Sequence, residues 1–124
     1  RRGQKFDPST AHFMEVKYHK ELAAGRWFTF SLAEQLAHVG SEVARTLAAR
    51  GRGDSDAQRM AFERALELFD LTIADLRWRK RLKEITRLRE LFCDYIVGEN
   101  QYRATDESFN NYFLAFTYAA RRNK

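Results

Sequence analysis

The chain has 124 residues, 44% of them hydrophobic and 14% aromatic, with 22 Lys and Arg against 17 Asp and Glu for a net charge of +5. This length suffices for one domain with a single core and no metal or disulfide staple, and the apolar content excludes an intrinsically disordered chain. A lone cysteine, Cys93, excludes an internal disulfide and suits a reducing compartment, while no apolar run approaches the roughly 20 residues of a membrane span. No signal-peptide apolar region is visible, so a soluble, cytoplasmic protein without a membrane partner is expected. β-Branched residues are scarce beside Ala, Leu, Glu and Arg, and the only proline is Pro8. This composition predicts an all-α fold.

In chain order, residues 1–30 read as an N-terminal arm followed by an aromatic lead-in of Trp27, Phe28 and Phe30. Residues 1–13 have two readings. Met14 opens a segment that reads as the start of a gene product, which makes the preceding residues non-native; alternatively they form a native basic arm in which Ser9 caps a short helix ending near Gly25. Residues 31–124 read as the bundle proper. Ser31 with Glu34 is a capping box, and its helix is expected to run to about Ala49, before Gly51 and Gly53. The core stripe is Leu32, Leu36, Val39, Val43 and Leu47. A flank of Ala33, Ala37, Gly40, Ala44 and Ala48 lets a second helix approach closely, which places this helix at the centre of the bundle.

Ser55 and Gln58 suggest a second box, followed by a stripe of Phe62, Leu66, Phe69, Ile73 and Leu76 at steps of four and three. Leu71 falls outside that arc. The third helix is expected from Arg77 or Trp78 to Val97, with Gly98 closing it. The connection around Asp75–Arg77 lacks Gly and Pro, so one continuous helix over 56–97 is an alternative to a tight break; the break is the better reading on length grounds. The last helix starts near Thr105 or Asp106 and turns Phe109, Tyr112, Phe113, Phe116 and Ala120 inward, leaving Leu114 and Tyr118 outside its core arc. The sum is an up-down four-helix bundle with an N-terminal extension or short extra helix.

Charge is uneven along this frame. The thirteen residues Arg77–Arg89 hold seven of the 22 bases, with Glu84 the only acid among them. At helical spacing Arg79, Lys80, Lys83 and Arg87 share one face, opposite Trp78, Leu82, Ile85 and Leu88. Arg81 and Arg89 project within the apolar arc, toward an acidic flank of Glu63, Glu67 and Asp70 on the preceding helix, and at least one ion pair is expected there. Residues 31–76 hold five bases and eight acids, whereas 77–103 hold eight bases and four acids. A dipolar surface follows, fit either to bind phosphates or to pair acidic and basic faces in a homo-oligomer.

Patterns for catalysis are missing. Carboxylate-bridged metal bundles need Glu-x-x-His pairs, whereas Glu15 and His19, Glu34 and His38, and His38 and Glu42 all stand four apart. No Arg precedes His12, His19 or His38 by five residues, the spacing of some helical ribonucleases. There is no phosphate-binding glycine loop and no paired-cysteine zinc pattern. Cys93 reads as a small residue at the edge of the core. No catalytic residue, cofactor or metal is therefore expected. Phosphate contacts by Arg79, Lys80, Lys83 and Arg87, joined by Arg121, Arg122 and Lys124, are the sharpest positive reading. Trp27 and Trp78 read as core residues rather than stacking platforms.

The segments S-L-A-E-Q-L-A-H-V-G-S-E-V-A-R (31–45), A-L-E-L-F-D-L-T-I-A-D (65–75), L-K-E-I-T-R-L-R-E-L-F-C-D-Y (82–95) and Y-F-L-A-F-T-Y-A-A-R-R (112–122) resemble an uncharacterised family of small bacterial four-helix-bundle proteins. That family carries no established activity. More loosely, the architecture is similar to the proteins encoded by intervening sequences of 23S ribosomal RNA genes and to the accessory proteins of diversity-generating retroelements. The latter form ring-like oligomers and bind a reverse transcriptase and RNA; no site transfers residue by residue. Together these readings predict a non-catalytic, oligomeric accessory protein that binds nucleic acid, RNA in preference to DNA. The alternative is a protein-directed or self-assembly adaptor with no nucleic-acid role.

Overall fold

A computed structural model describes residues 16–122; the two readings of residues 1–13, Ser9 as a cap, His12 and the terminal Lys124 lie outside the described residues. Among those described, every regular element is helical. They are α1 (Lys20–Ala23), a 3₁₀ turn (Arg26–Thr29), α2 (Leu32–Arg52), α3 (Ser55–Ile73), a second 3₁₀ stretch (Leu76–Arg81), α4 (Leu82–Val97) and α5 (Asp106–Arg122). None of these helices is long and apolar enough to cross a membrane.

The capping box of α2 forms as its sequence demands. Glu34 N–H donates to Ser31 Oγ at 3.1 Å and Ser31 N–H to Glu34 Oε1 at 2.8 Å. The helix runs past Ala49 and through Gly51 to Arg52. It stops at Gly53, whose φ of +75° lies in the left-handed region that suits a residue without Cβ. Leu36, Val39, Val43 and Leu47 are buried and Leu32 is half-buried. α2 packs against both α3 and α5. At Gly40 the approach of α5 is so close that a Cβ would lie 2.7 Å from Phe113 Cβ.

α3 departs from its expected pattern in two ways. Its cap is Asp54, one residue earlier than Ser55, with Oδ1 accepting the Ala57 N–H at 3.1 Å. A carboxylate here both satisfies an orphan amide and complements the helix dipole, which Ser55 cannot match. Of the expected stripe only Phe69 is fully buried, whereas Ala61, Ala65, Leu68, Leu71 and Thr72 are buried too. Helix α3 is covered on more than one side: α2 and α4 pack against it, and Phe62 and Phe69 meet Phe92 of α4 at ring separations of 5.4 and 6.1 Å. Leu71, expected outside the core, is 0% exposed. It follows Glu63 and Glu67 along one row of the helix, and residues Lys17–His19 dock on that row.

The break between α3 and α4 is real and is made without Gly or Pro. Asp75 Oδ1 accepts the Arg77 N–H at 3.1 Å, and Trp78 leaves helical geometry at φ −103°, ψ 25°. Leu76, placed in the α3 stripe by its spacing, is 76% exposed. α4 therefore begins at Leu82 rather than Arg77 and buries Ile85, Leu88 and Phe92. Gly98 closes it in extended geometry; what the site requires is closeness, since a Cβ would sit 2.9 Å from the Asp94 carbonyl oxygen. The Asn100 amide then bonds both the N–H and the carbonyl of Ala104. Thr105 and Ser108 cap α5 reciprocally, each hydroxyl accepting the other's N–H at 3.0 Å. Phe109 and Phe113 are buried, Tyr112 and Phe116 half-buried, and Leu114 and Tyr118 exposed. Phe92 and Phe109 meet edge-on at 5.8 Å, joining α4 to α5.

Candidate nucleic-acid interface

The seven bases of the Arg77–Arg89 segment divide by what their charge already answers. Arg77 is held by Asp75, with Nη2 2.6 Å from Oδ2, and donates from the same nitrogen to the Phe30 carbonyl at 2.7 Å. Its guanidinium also lies 4.3 Å from the centre of the Trp78 ring. Gln35, wholly buried, donates to Asp75 Oδ2 and to the Trp27 carbonyl and accepts from Trp78 Nε1. Burial alone would raise the Asp75 carboxyl, but the hydrogen bonds from Arg77 and Gln35 outweigh it and hold its pKa below the usual value. Arg77 is thus a structural tie between the start of the basic segment, the aromatic lead-in and the N-terminal end of α2.

Arg89 Nε donates to Asp70 Oδ1 at 2.9 Å, an ion pair between α3 and α4. Arg81 does not join it. With α4 starting at Leu82, Arg81 becomes the N-terminal cap position, and its nearest acid is Glu84 at 2.9 Å. Glu84 also accepts the Tyr112 hydroxyl at 2.7 Å, tying α4 to α5; the hydrogen bonds from Arg81 and Tyr112 depress its carboxyl pKa. Glu67 faces neither Arg81 nor Arg89. Its carboxylate accepts the backbone N–H groups of Lys17, Tyr18 and His19 at 2.6–3.1 Å and lies 3.0 Å from His19 Nδ1. Glu63 accepts the Tyr18 hydroxyl at 2.7 Å. The acidic flank of α3 is thereby spent on the molecule's own N-terminal segment and on Arg89.

Four bases are left. Arg79, Lys80, Lys83 and Arg87 are exposed and make no ion pair among the described residues. They do not share one helix face, because Arg79 and Lys80 belong to the 3₁₀ stretch and only Lys83 and Arg87 to α4. Lys80, Lys83 and Arg87 nevertheless converge on a groove of about 510 Å³, whose remaining lining is Glu84, Leu88, Leu91 and Tyr112. The buried Leu88 and half-buried Leu91 and Tyr112 form an apolar floor beneath exposed cations. The Arg87 guanidinium also lies 5.5 Å from the ring centre of Tyr102, an exposed aromatic. Helical periodicity turns Tyr112 toward the core and marks neither Leu91 nor Tyr102. The available signal was Leu91 at three residues from Leu88 and four from Arg87.

The C-terminal bases lie elsewhere. Arg121 lines a second groove of about 450 Å³ with Arg26, Phe30 and His38, and Arg122 is exposed. Phe30 and His38 stack at 5.2 Å with planes 20° apart. Glu42, four residues from His38, is nearly buried and takes Arg64 and Arg45 at 3.1 Å each. Among the described residues, no three His, Cys, Asp or Glu side chains gather as a metal site requires. Cys93 is half-buried, with burial raising its thiol pKa against the opposing charge of Arg89. Among the described residues, the fully buried Trp27 indole N–H has no hydrogen-bond partner. No protein-family model, characterised protein or solved structure matches this chain.

Proposed function

We propose that this protein is a non-catalytic accessory factor of the cytoplasm that binds nucleic acid, RNA in preference to DNA, through the groove between α4 and α5. One observation carries the reading. Where Arg77, Arg81 and Arg89 are each held by a carboxylate, Arg79, Lys80, Lys83 and Arg87 are not, and three of these four surround a single apolar-floored groove. Unpaired cations beside carbon surface suit a ligand with anionic phosphates and aromatic bases. The long helices α2–α5 are read as an up-down bundle, supported by the contacts of α2 with α3 and α5, of α3 with α4, and by the Phe92–Phe109 pair. Membership of the uncharacterised bacterial family whose segments the sequence resembles is part of the same proposal.

A rival reading is a protein-directed or self-assembly adaptor. It is favoured by Leu114 and Tyr118, exposed one helical turn apart on α5. It is weakened by the fate of Glu63, Glu67 and Asp70, whose carboxylates are engaged within the chain and so are less available to meet the basic face of another copy. An oligomer built on the α5 strip is compatible with nucleic-acid binding and would multiply a small basic footprint.

A gel-shift titration with structured RNA tests the main reading. Charge reversal of Arg79, Lys83 and Arg87 together is expected to abolish binding at physiological salt while circular dichroism stays helical. Unchanged RNA affinity in that variant would refute the proposal. Light scattering of the same variant decides about the rival, since dispersal of an oligomer would make these bases assembly contacts.

A further inference from the structure

The cations alone would suit any polyanion, duplex or single-stranded, so the floor of the groove is the informative part. We infer that the groove between α4 and α5 takes a single strand and seats one of its bases against Leu91 and Tyr112; this rests on the nucleic-acid reading above.

The argument is one of matching surfaces. A duplex turns sugar and phosphate outward and keeps its base faces stacked inside, so it would lay charged oxygens over Leu88, Leu91 and Tyr112 and gain nothing from their burial. An unpaired base offers an apolar face of its own, and covering carbon with carbon is favourable. Lys83 and Arg87 stand one helical turn apart, about 6 Å along the axis, so successive phosphates of an extended strand can follow them while a base turns inward. Lys80 extends the cationic edge from the 3₁₀ stretch. The floor is also held in place. Tyr112 donates its hydroxyl to Glu84, Glu84 is held by Arg81, and the Tyr112 ring packs on Phe113 and Phe116 at 5.2 and 5.3 Å. The ring is therefore fixed before any ligand arrives, which limits the entropy lost on binding. Arg81 serves the site as a positioning residue without contacting the strand.

The test is fluorescence anisotropy with three ligands of matched total phosphate count: a short oligouridine, an abasic oligomer of the same length, and an oligouridine–oligoadenosine duplex of half that length. Oligouridine is expected to bind about tenfold tighter than the other two, the usual worth of one stacked base. Leu91→Ser, checked for an unchanged melting profile, is expected to bring oligouridine down to the abasic level. Equal affinity for all three ligands would overturn the seated base while leaving the basic-groove reading standing. Binding to none of them would overturn both, and capture of an acidic amphipathic peptide in that case would assign the groove to a protein partner. The abasic ligand keeps the proposal decidable even if Leu91→Ser fails to fold, because it probes the wild-type chain.

Discussion

Asp75 is 5% exposed, yet it keeps its charge because donors from two elements converge on it: the Arg77 backbone and guanidinium, and the Gln35 amide from α2. Asp75→Ala removes the partner of the buried Gln35 amide and of the exposed Arg77 guanidinium, and is expected to cost about 1–3 kcal/mol, the scale of a buried donor left short of its acceptor. The pH dependence has a definite sign. A carboxyl whose folded pKa lies below its unfolded value contributes stability that is complete above about pH 4 and is lost as pH falls through the folded value. Urea unfolding at pH 7 and pH 3 should therefore show a larger acid loss for wild type than for Asp75→Ala. Equal losses would remove Asp75 from the account. The sequence held part of this: it placed Arg77 at a turn and Arg89 toward Asp70. It could not place Arg81, because the 3₁₀ stretch rotates that residue out of the frame that an uninterrupted helix would impose, and no local residue type announces such a stretch.

Helix ends were legible where a side chain close in sequence makes them, as with Ser31 and Glu34, or Thr105 for α5. Much of what was not legible depends on neighbours distant in sequence; the Asp54 cap of α3 is a local exception, since Ser55 beside it offers a competing capping side chain. Spacing marks one apolar stripe on α3, but a helix covered on several sides buries small residues as well, and Ala61 and Ala65, though in helical step with Leu68 and Thr72, offer too little apolar surface to single out a second face. Close helix approach was legible from the small-residue flank of α2, and it yields a paired prediction. Gly40→Ala would set a Cβ 2.7 Å from Phe113 Cβ and 2.8 Å from its Cγ, atoms next to the α5 backbone that cannot swing aside. The expected cost is about 1–3 kcal/mol, more than the roughly 1 kcal/mol that Ala gains over Gly in a helix. Gly51→Ala, on the same helix with nothing within 4 Å, should stabilise by about 0.5–1 kcal/mol. Opposite shifts in urea midpoint are the expected result; a stabilising Gly40→Ala would mean that α5 does not press on α2 in solution.

For the whole molecule, net charge is a poor guide to what a partner would meet. Three of the seven bases in the basic segment are paired locally, Asp70 of α3 answers one of them, and Glu63 and Glu67 are engaged by hydrogen bonds from residues 17–19. What the basic segment leaves unanswered is a local set of four cations. That set fixes how binding should depend on salt. Each single-strand phosphate contacted contributes about −0.7 to the slope of log affinity against log salt, so four cations predict a slope of about −3 for the monomer. An oligomer whose grooves act on one strand would steepen it in proportion to the grooves engaged. Lys83→Ala should flatten the monomer slope by about 0.7, since a phosphate contact and its released counterion are lost. Arg77→Ala should lower the melting temperature through the Asp75 network yet leave the slope where it was, because its charge never reaches the ligand. Salt titrations of both variants, with melting curves alongside, separate the two roles. If Arg77→Ala flattened the slope as much as Lys83→Ala, the division of the basic segment into held and free charges would be wrong.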